Sequence, residues 1–199
     1  MTQTRVVGKS LPRLDAVAKV TGTAIYAVDF ALPGMLHGKI FRSTQPHALI
    51  RRLDVSRARQ LPGVRAVLSA QDVPLVRYGG MVQDETVFAA ERVRYAGQPV
   101  AAVAADRADI AEEALALIDV VYEPLPVITD AEAALAPDAP LIHPDWQSYR
   151  TAGSVWRHGN MCTRSLVHTG DVDAAMAQAD YVFEDRFETQ IQHQGYLEP

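Results

Sequence analysis

The spacing of hydrophobic positions changes several times along the chain, and each change marks an element. Residues 23–30 (TAIYAVDF) are rich in β-branched and aromatic side chains and stop before a Pro33-Gly34 turn, which predicts a strand. Residues 35–43 (MLHGKIFRS) and 48–56 (ALIRRLDVS) predict two more. In the second, Leu49, Arg51, Leu53 and Val55 share one side while Ile50, Arg52 and Asp54 share the other, so neither side is cleanly apolar. A short helix capped by Ser56 follows, ends at Pro62-Gly63, and gives way to a buried strand over 65–70 (RAVLSA).

The clearest pattern lies between Gly97 and Val127. Residues 97–105 (GQPVAAVAA) form a continuous small-apolar run, as in a strand covered on both faces. Residues 106–118 then switch to helical period, with Ile110, Ala111, Ala114, Leu117 and Ile118 on one stripe; Asp106 is the expected N-cap, and Asp109 puts negative charge in the first turn, where the helix dipole favours it. Residues 119–127 (DVVYEPLPV) return as a strand ended by two prolines. A strand-helix-strand unit buries its helix stripe on a sheet, which predicts an α+β fold. Residues 129–136 read as a short capped helix with Glu132 at the box position.

From Pro137 to Asn160 the periodicity fades, with three prolines and both tryptophans, and the stretch reads as a linker between two bodies. The division expected is therefore 1–136, a linker 137–160, and a second body beginning at 161. Residues 170–180 predict a short helix. Residues 181–194 then alternate: Tyr181, Phe183, Phe187 and Ile191 on one side, and Glu184, Arg186, Glu188, Gln190, Gln192 and Gln194 on the other, which predicts a long strand with its glutamines projecting together.

Composition narrows the function classes. With 199 residues, 48% hydrophobic and 22% charged, the chain is an ordinary globular one. A net charge of −5 with no basic stripe argues against nucleic acid and anionic membrane surfaces. No run of 18 apolar residues and no leader-like opening is present, so no membrane span is predicted and the cytoplasm is the expected compartment. Cys162 is the lone cysteine, read as a semi-buried thiol without a catalytic partner. His37, His47, His143, His158, His168 and His193 are scattered without metal-ligand spacing, so no protein-ligated metal site is expected. Asp84 and Glu85 are neighbours that point apart and read as a solvated loop, though a small independent α+β enzyme using one of them as acid or base is a competing reading. Gln98 reads as part of the turn that opens the buried strand.

Three long blocks carry a family resemblance. Residues 8–50 (GKSLPRLDAVAKVTGTAIYAVDFALPGMLHGKIFRSTQPHALI), 93–135 (VRYAGQPVAAVAADRADIAEEALALIDVVYEPLPVITDAEAAL) and 170–199 (GDVDAAMAQADYVFEDRFETQIQHQGYLEP) resemble, in order, the opening of the molybdopterin-binding large subunit of the xanthine dehydrogenase and aldehyde oxidase family. The resemblance implies an a/b hammerhead domain, a mixed sheet with packed helices, over 1–136. It implies a start of the molybdopterin-binding domain, still incomplete, over 161–199, led by an extended strand. It implies hydroxylation of an electron-poor carbon in a purine, N-heterocycle or aldehyde, with oxygen from water.

The implied cofactor is molybdopterin with its molybdenum. The implied partners are the remainder of the subunit, an iron-sulfur subunit and an FAD subunit, besides a small-molecule substrate. The family's general-base glutamate and its FGGK-type loop fall outside these residues, so no catalytic residue is expected within them and the segment alone is expected to be inactive, as the N-terminal quarter to third of a larger subunit. Against the family's Q-x-x-x-Y-L-E pattern, Gln192 matches a glutamine whose amide hydrogen-bonds an oxo ligand of molybdenum. His193 and Gln194 sit where relatives vary, His193 reading as a packed histidine, and Glu198-Pro199 reads as a structural turn. The alternative is a separately encoded docking module that completes a cofactor-binding partner chain and has no activity alone.

Overall fold

The computed structural model describes residues 6–153, 156–193 and 195. They divide into two units, Gly34–Asp180 and a second drawn from the stretches 1–33 and 181–199. In chain order the elements are α1 (Ala16–Val20), a 3-10 turn (Ala27–Asp29), β1 (His37–Arg42), β2 (Ala48–Asp54), α2 (Ser56–Gln60), β3 (Val64–Ser69), β4 (Arg92–Val93), β5 (Pro99–Ala105), α3 (Ala108–Ala116) and β6 (Asp119–Pro124). Two more 3-10 turns (Ala133–Leu135 and Trp146–Ser148), the hairpin β7 (Trp156–His158) and β8 (Met161–Arg164), and α4 (Val172–Ala177) complete them. The fold class is α+β, as the strand-helix-strand pattern predicts.

Within the Gly34–Asp180 unit, two three-stranded antiparallel sheets run β1-β5-β3 and β4-β2-β6. β5 is central in the first because its small side chains admit a helix at close range. Ala111, Ala114 and Ile118 of the α3 region pack with Ala58 of α2 against Val67, Ala101, Val103 and Ala105. Burying a residue such as Val103 contributes roughly 1.5–3 kcal/mol. A second cluster, Ala48, Ala89, Val93 and Val100, is joined by Phe41, Ile50, Leu53 and Tyr122.

The uneven pattern of residues 48–56 has a structural cause. The β2–β6 register shifts between Ile50 and Arg52. A bulge flips parity, so Ile50 and Leu53, three apart, both pack on the second cluster. Arg51 and Arg52 both stay exposed and reach Glu123 (2.5 Å) and Asp119 on β6. The caps are shifted too. Asp54, not Ser56, supplies the acceptor for α2, taking the Ser56 N–H at 2.9 Å. Asp106 does not cap α3; its carboxylate receives both Nε and Nη2 of Arg65 at 2.7 Å, tying β3 to the start of the helix. Asp130 takes the Ala133 N–H at 2.7 Å, and the element there is a 3-10 turn. Gly63 has φ +90°, and a Cβ there would lie 2.7 Å from Ile110 Cδ1, so the β3 approach to α3 needs glycine.

Two predicted strands are absent. Residues 23–30 hold the 3-10 turn Ala27–Asp29, because the Asp29 carboxylate accepts the Tyr26 N–H at 3.0 Å and closes the chain locally. Residues 181–193 have no ladder partner among the described residues and are exposed throughout. Alternation specifies which side chains share a face, but a strand also needs a neighbour to pair with.

Candidate functional site

The stretch expected to link two bodies builds the most elaborate polar cluster of the Gly34–Asp180 unit. Asp145 stands at the N-cap of the 3-10 turn Trp146–Ser148. This single helical turn brings Tyr149 back so that its hydroxyl donates to Asp145 Oδ1 at 2.7 Å. Arg77 Nη2 donates to Asp145 Oδ2 at 2.6 Å, and Arg94 Nη2 lies 3.8 Å from Oδ1. Arg94 is placed by its backbone N–H, held at 2.7 Å by the buried Gln98 side chain, and by its Nε on the Ile142 carbonyl at 3.2 Å. Gln98 is thus a structural member of the turn before β5, in agreement with its reading from sequence.

Hydrogen positions follow from counting donors. The single hydroxyl hydrogen of Tyr149 goes to Asp145, so its oxygen accepts from His143 Nδ1–H at 2.8 Å. The chain His143 → Tyr149 → Asp145 ← Arg77 is therefore directional, and His143 keeps Nε2 as an acceptor. Burial pushes the Asp145 carboxyl up, but the Arg77 and Tyr149 hydrogen bonds outweigh it and hold it down at about 2. Burial, then the bond to Asp145, pushes Tyr149 up to about 12. Burial, then the Arg94 charge, lowers His143. Near neutral pH the cluster is an ionised carboxylate, a protonated phenol and a neutral imidazole.

Two guanidinium groups close the cluster. Arg77 lies over the Tyr149 ring at 4.4 Å and Arg157 over the Trp146 ring at 6.0 Å. Each has a buried Nη1 without a hydrogen-bond acceptor, and the ring faces offset part of that cost. Arg157 Nη2 donates to the Tyr149 carbonyl at 3.0 Å. Asn160 staples the segment: Oδ1 accepts the Ile142 N–H at 3.0 Å, while Nδ2 donates to the carbonyls of Ala134 (3.0 Å) and Pro140 (3.1 Å). A cavity of about 290 Å³ adjoins His143, walled by Val82, Ile142, Trp146, Arg157 and Met161. Chemically this is a single carboxylate clasped by the guanidinium groups of Arg77 and Arg94.

Of the residues singled out from sequence, Asp84 and Cys162 line this cavity. Gln192 is exposed, in a stretch without regular structure. His193 is exposed rather than packed, because no element among the described residues covers it, and its Nδ1 accepts the Gly195 N–H at 3.0 Å. Gln194, Glu198 and Pro199 lie outside the described residues. Cys162 is exposed on β8 rather than semi-buried, because it stands at the rim of the cavity, which is open to solvent there. Glu85 is exposed and its backbone pairs with Tyr78, whereas Asp84 is half-buried beside the cavity. Among the described residues no group of three or more His, Cys, Asp or Glu could hold a metal ion, and no helix is long and apolar enough to cross a membrane. Sequence patterning does not reveal the Asp145 clasp; Asp145 and Tyr149 are four apart and hint at a local pair, but Arg77 and Arg94 arrive from far away in sequence.

Comparison with known proteins places these features. A relative from Bacillus subtilis, described as a probable subunit of xanthine dehydrogenase, is 40% identical over 94% of this chain and 23% of its own length. A nicotinate dehydrogenase large molybdopterin subunit from Eubacterium barkeri is 39% identical over 98% of this chain and 43% of its own length. Among solved structures, a Cu,Mo-CO dehydrogenase in its carbon monoxide reduced state superposes with TM-score 0.70 at 36% identity, over 87% of this chain and 23% of that one. The chain thus spans between about a quarter and under half the length of these relatives. Residues 21–126, more than half of the chain, match the family model described as aldehyde oxidase and xanthine dehydrogenase, a/b hammerhead domain, and the chain accordingly belongs to the aldehyde oxidase and xanthine dehydrogenase family.

Proposed function

We propose that the chain is the N-terminal portion of the molybdopterin-binding subunit of a cytoplasmic oxidoreductase that hydroxylates an electron-poor carbon of a purine, N-heterocycle or aldehyde, with oxygen from water and electrons passing to iron-sulfur and FAD partners. The observation that carries this is the hammerhead match over 21–126, set beside relatives named as molybdopterin or xanthine dehydrogenase subunits. On this reading residues 1–136 are the hammerhead domain, 137–160 lead out of it, and 161–199 begin the cofactor-binding part.

The residues present fit such a cofactor in a limited way. Residues 181–193 offer the exposed amides of Gln190 and Gln192, and a neutral amide donates a hydrogen bond without adding charge. A metal held by an organic dithiolene needs no set of protein ligands. The cofactor, when bound, supplies the oxygen-transfer and redox chemistry; this chain's share is orientation, with Gln192 as the donor. The substrate-choosing residues and the base glutamate fall, on this reading, outside the 199 residues.

Molybdenum analysis of the intact complex tests the reading, with about one atom expected per subunit and none overturning it. For Gln192, Gln192→Ala in the complete enzyme is expected to lower turnover about tenfold or more with molybdenum content intact; unchanged turnover rejects its role. A second reading, a separately encoded docking module, is favoured by the Eubacterium barkeri relative, which is shorter than the others, since this chain covers 43% of it against 23% of the Bacillus protein. The coding sequence beyond residue 199 decides between them.

A further inference from the structure

Arg51, Arg52, Arg65 and Arg107 are exposed, and each is ion-paired with a carboxylate. Arg92 on β4 reverses this. It is half-buried, where an unpaired charge is costly, yet it has no carboxylate partner among the described residues. Its Nη1 donates instead to His47 Nε2 at 3.3 Å. His47 is buried, and its Nδ1–H goes to the Pro126 carbonyl at 2.6 Å, which leaves Nε2 as the acceptor. A buried imidazole thus holds the guanidinium in place without neutralising it. In the β4–β2 register Arg92 stands opposite Leu49, on the face away from the buried pair Ala48 and Val93.

That face opens on a cavity of about 300 Å³, whose charged walls are Arg77, Arg92, Arg94, Glu91 and Asp145. Asp145 is already engaged, by Arg77 at 2.6 Å and by Arg94 at 3.8 Å. Glu91 is exposed and makes no ion pair among the described residues. Three guanidinium groups against two carboxylates leave one positive charge in excess, and the unpaired Arg92 carries it. The planar fork of a guanidinium matches a carboxylate or phosphate. Leu49, Leu75 and Pro144 make the rest of the wall apolar, which favours an anion with an apolar body over a bare, strongly hydrated one. The volume is at the small end of ligand sites. We infer that this cavity binds a small organic acid, its carboxylate anchored by Arg92 and its body sheathed by Leu49, Leu75 and Pro144.

Calorimetric titration of the full-length protein with benzoate tests this, near neutral pH and at low ionic strength. The expected dissociation constant is about 1 mM or tighter. Arg92→Gln is expected to weaken binding about tenfold or more, while Arg107→Gln, which removes the same charge from the start of α3, leaves it unchanged. Binding that survives Arg92→Gln overturns the inference. So does an equal loss in Arg107→Gln, which is a response to net charge alone. Inorganic phosphate binding as tightly as benzoate overturns it too, because the pocket would then take any oxyanion. If Arg92→Gln does not fold, the parent protein decides: benzoate is expected to shift the methyl resonances of Leu49 and Leu75, and unmoved methyls, or no binding at all, sink the assignment.

Discussion

Residues 97–118 and residues 181–193 are both strongly patterned, and they meet opposite fates. In the first, the apolar run and the helical stripe find each other within one strand-helix unit, and Ala101, Val103, Ala105, Ala111 and Ala114 are buried. In the second, Phe183 and Phe187 are 84% and 89% exposed despite a cleaner alternation. Pattern assigns side chains to faces; burial depends on whether a complementary face exists within the same stretch of chain. The first region contains its own partner and the second does not.

A charge in the first region is the most severe way to probe that contrast. Val103→Asp would bury a carboxylate against α3, and the expected cost is about 4 kcal/mol or more, enough to lose the cooperative unfolding transition of the Gly34–Asp180 unit. Circular dichroism and denaturant melts read it. A variant that still melts within about 1 kcal/mol of the parent would mean that the α3–sheet interface is not the stabilising core.

The Asp145 clasp sits between these extremes, since its members are polar yet mutually satisfied. Asp145→Ala removes the acceptor for Arg77 and Tyr149 and leaves a half-buried guanidinium beside an orphaned hydroxyl; the expected loss is about 2 kcal/mol, with Asp145→Asn losing less. The sign of the pH dependence follows from the depressed carboxyl. A group held at about 2 when folded, and near its ordinary 3.8 when unfolded, contributes stability above about 4, and that stability fades as pH falls toward 2. The stability difference between parent and Asp145→Asn should accordingly close across that window. A gap that stays constant down to pH 2 would show that Asp145 acts by shape rather than charge.

Much of this is legible in the sequence because the signals are local. The stripe Ile110–Ile118, the Pro-Gly turns and the strands 37–42, 48–54 and 119–124 rest on neighbours within a few residues. What is not legible depends on distant partners or on one-residue shifts. The bulge in β2 reverses side-chain parity midway, so the sequence shows two mixed faces where the structure has one apolar face and an arginine pair. Asp106 looks like a cap because cap geometry is local, whereas Arg65 claims it from β3. Arg77 and Arg94 converge on Asp145 only through the fold, which makes an expected linker a packed segment. Gln192 rests on resemblance, since its surroundings among the described residues include no ladder that would orient it.

The smallest expected effect is also the sharpest test of the contrast. Phe187→Asp places a charge where an aromatic now stands in solvent, so the melting of the Gly34–Asp180 unit should change by no more than about 0.5 kcal/mol. On the proposed reading, in which these residues begin the cofactor-binding part of a larger subunit, the same substitution in that subunit is expected to be costly, because a carboxylate on a buried sheet face costs several kcal/mol. The comparison is read as yield of folded, molybdenum-containing subunit alongside the melt. Equal tolerance in both contexts would mean that the alternation of Tyr181, Phe183, Phe187 and Ile191 serves no packed face at all. Strong destabilisation of the 199-residue chain itself would mean that these aromatics already find their partners within it, and that the two regions differ in degree rather than in kind.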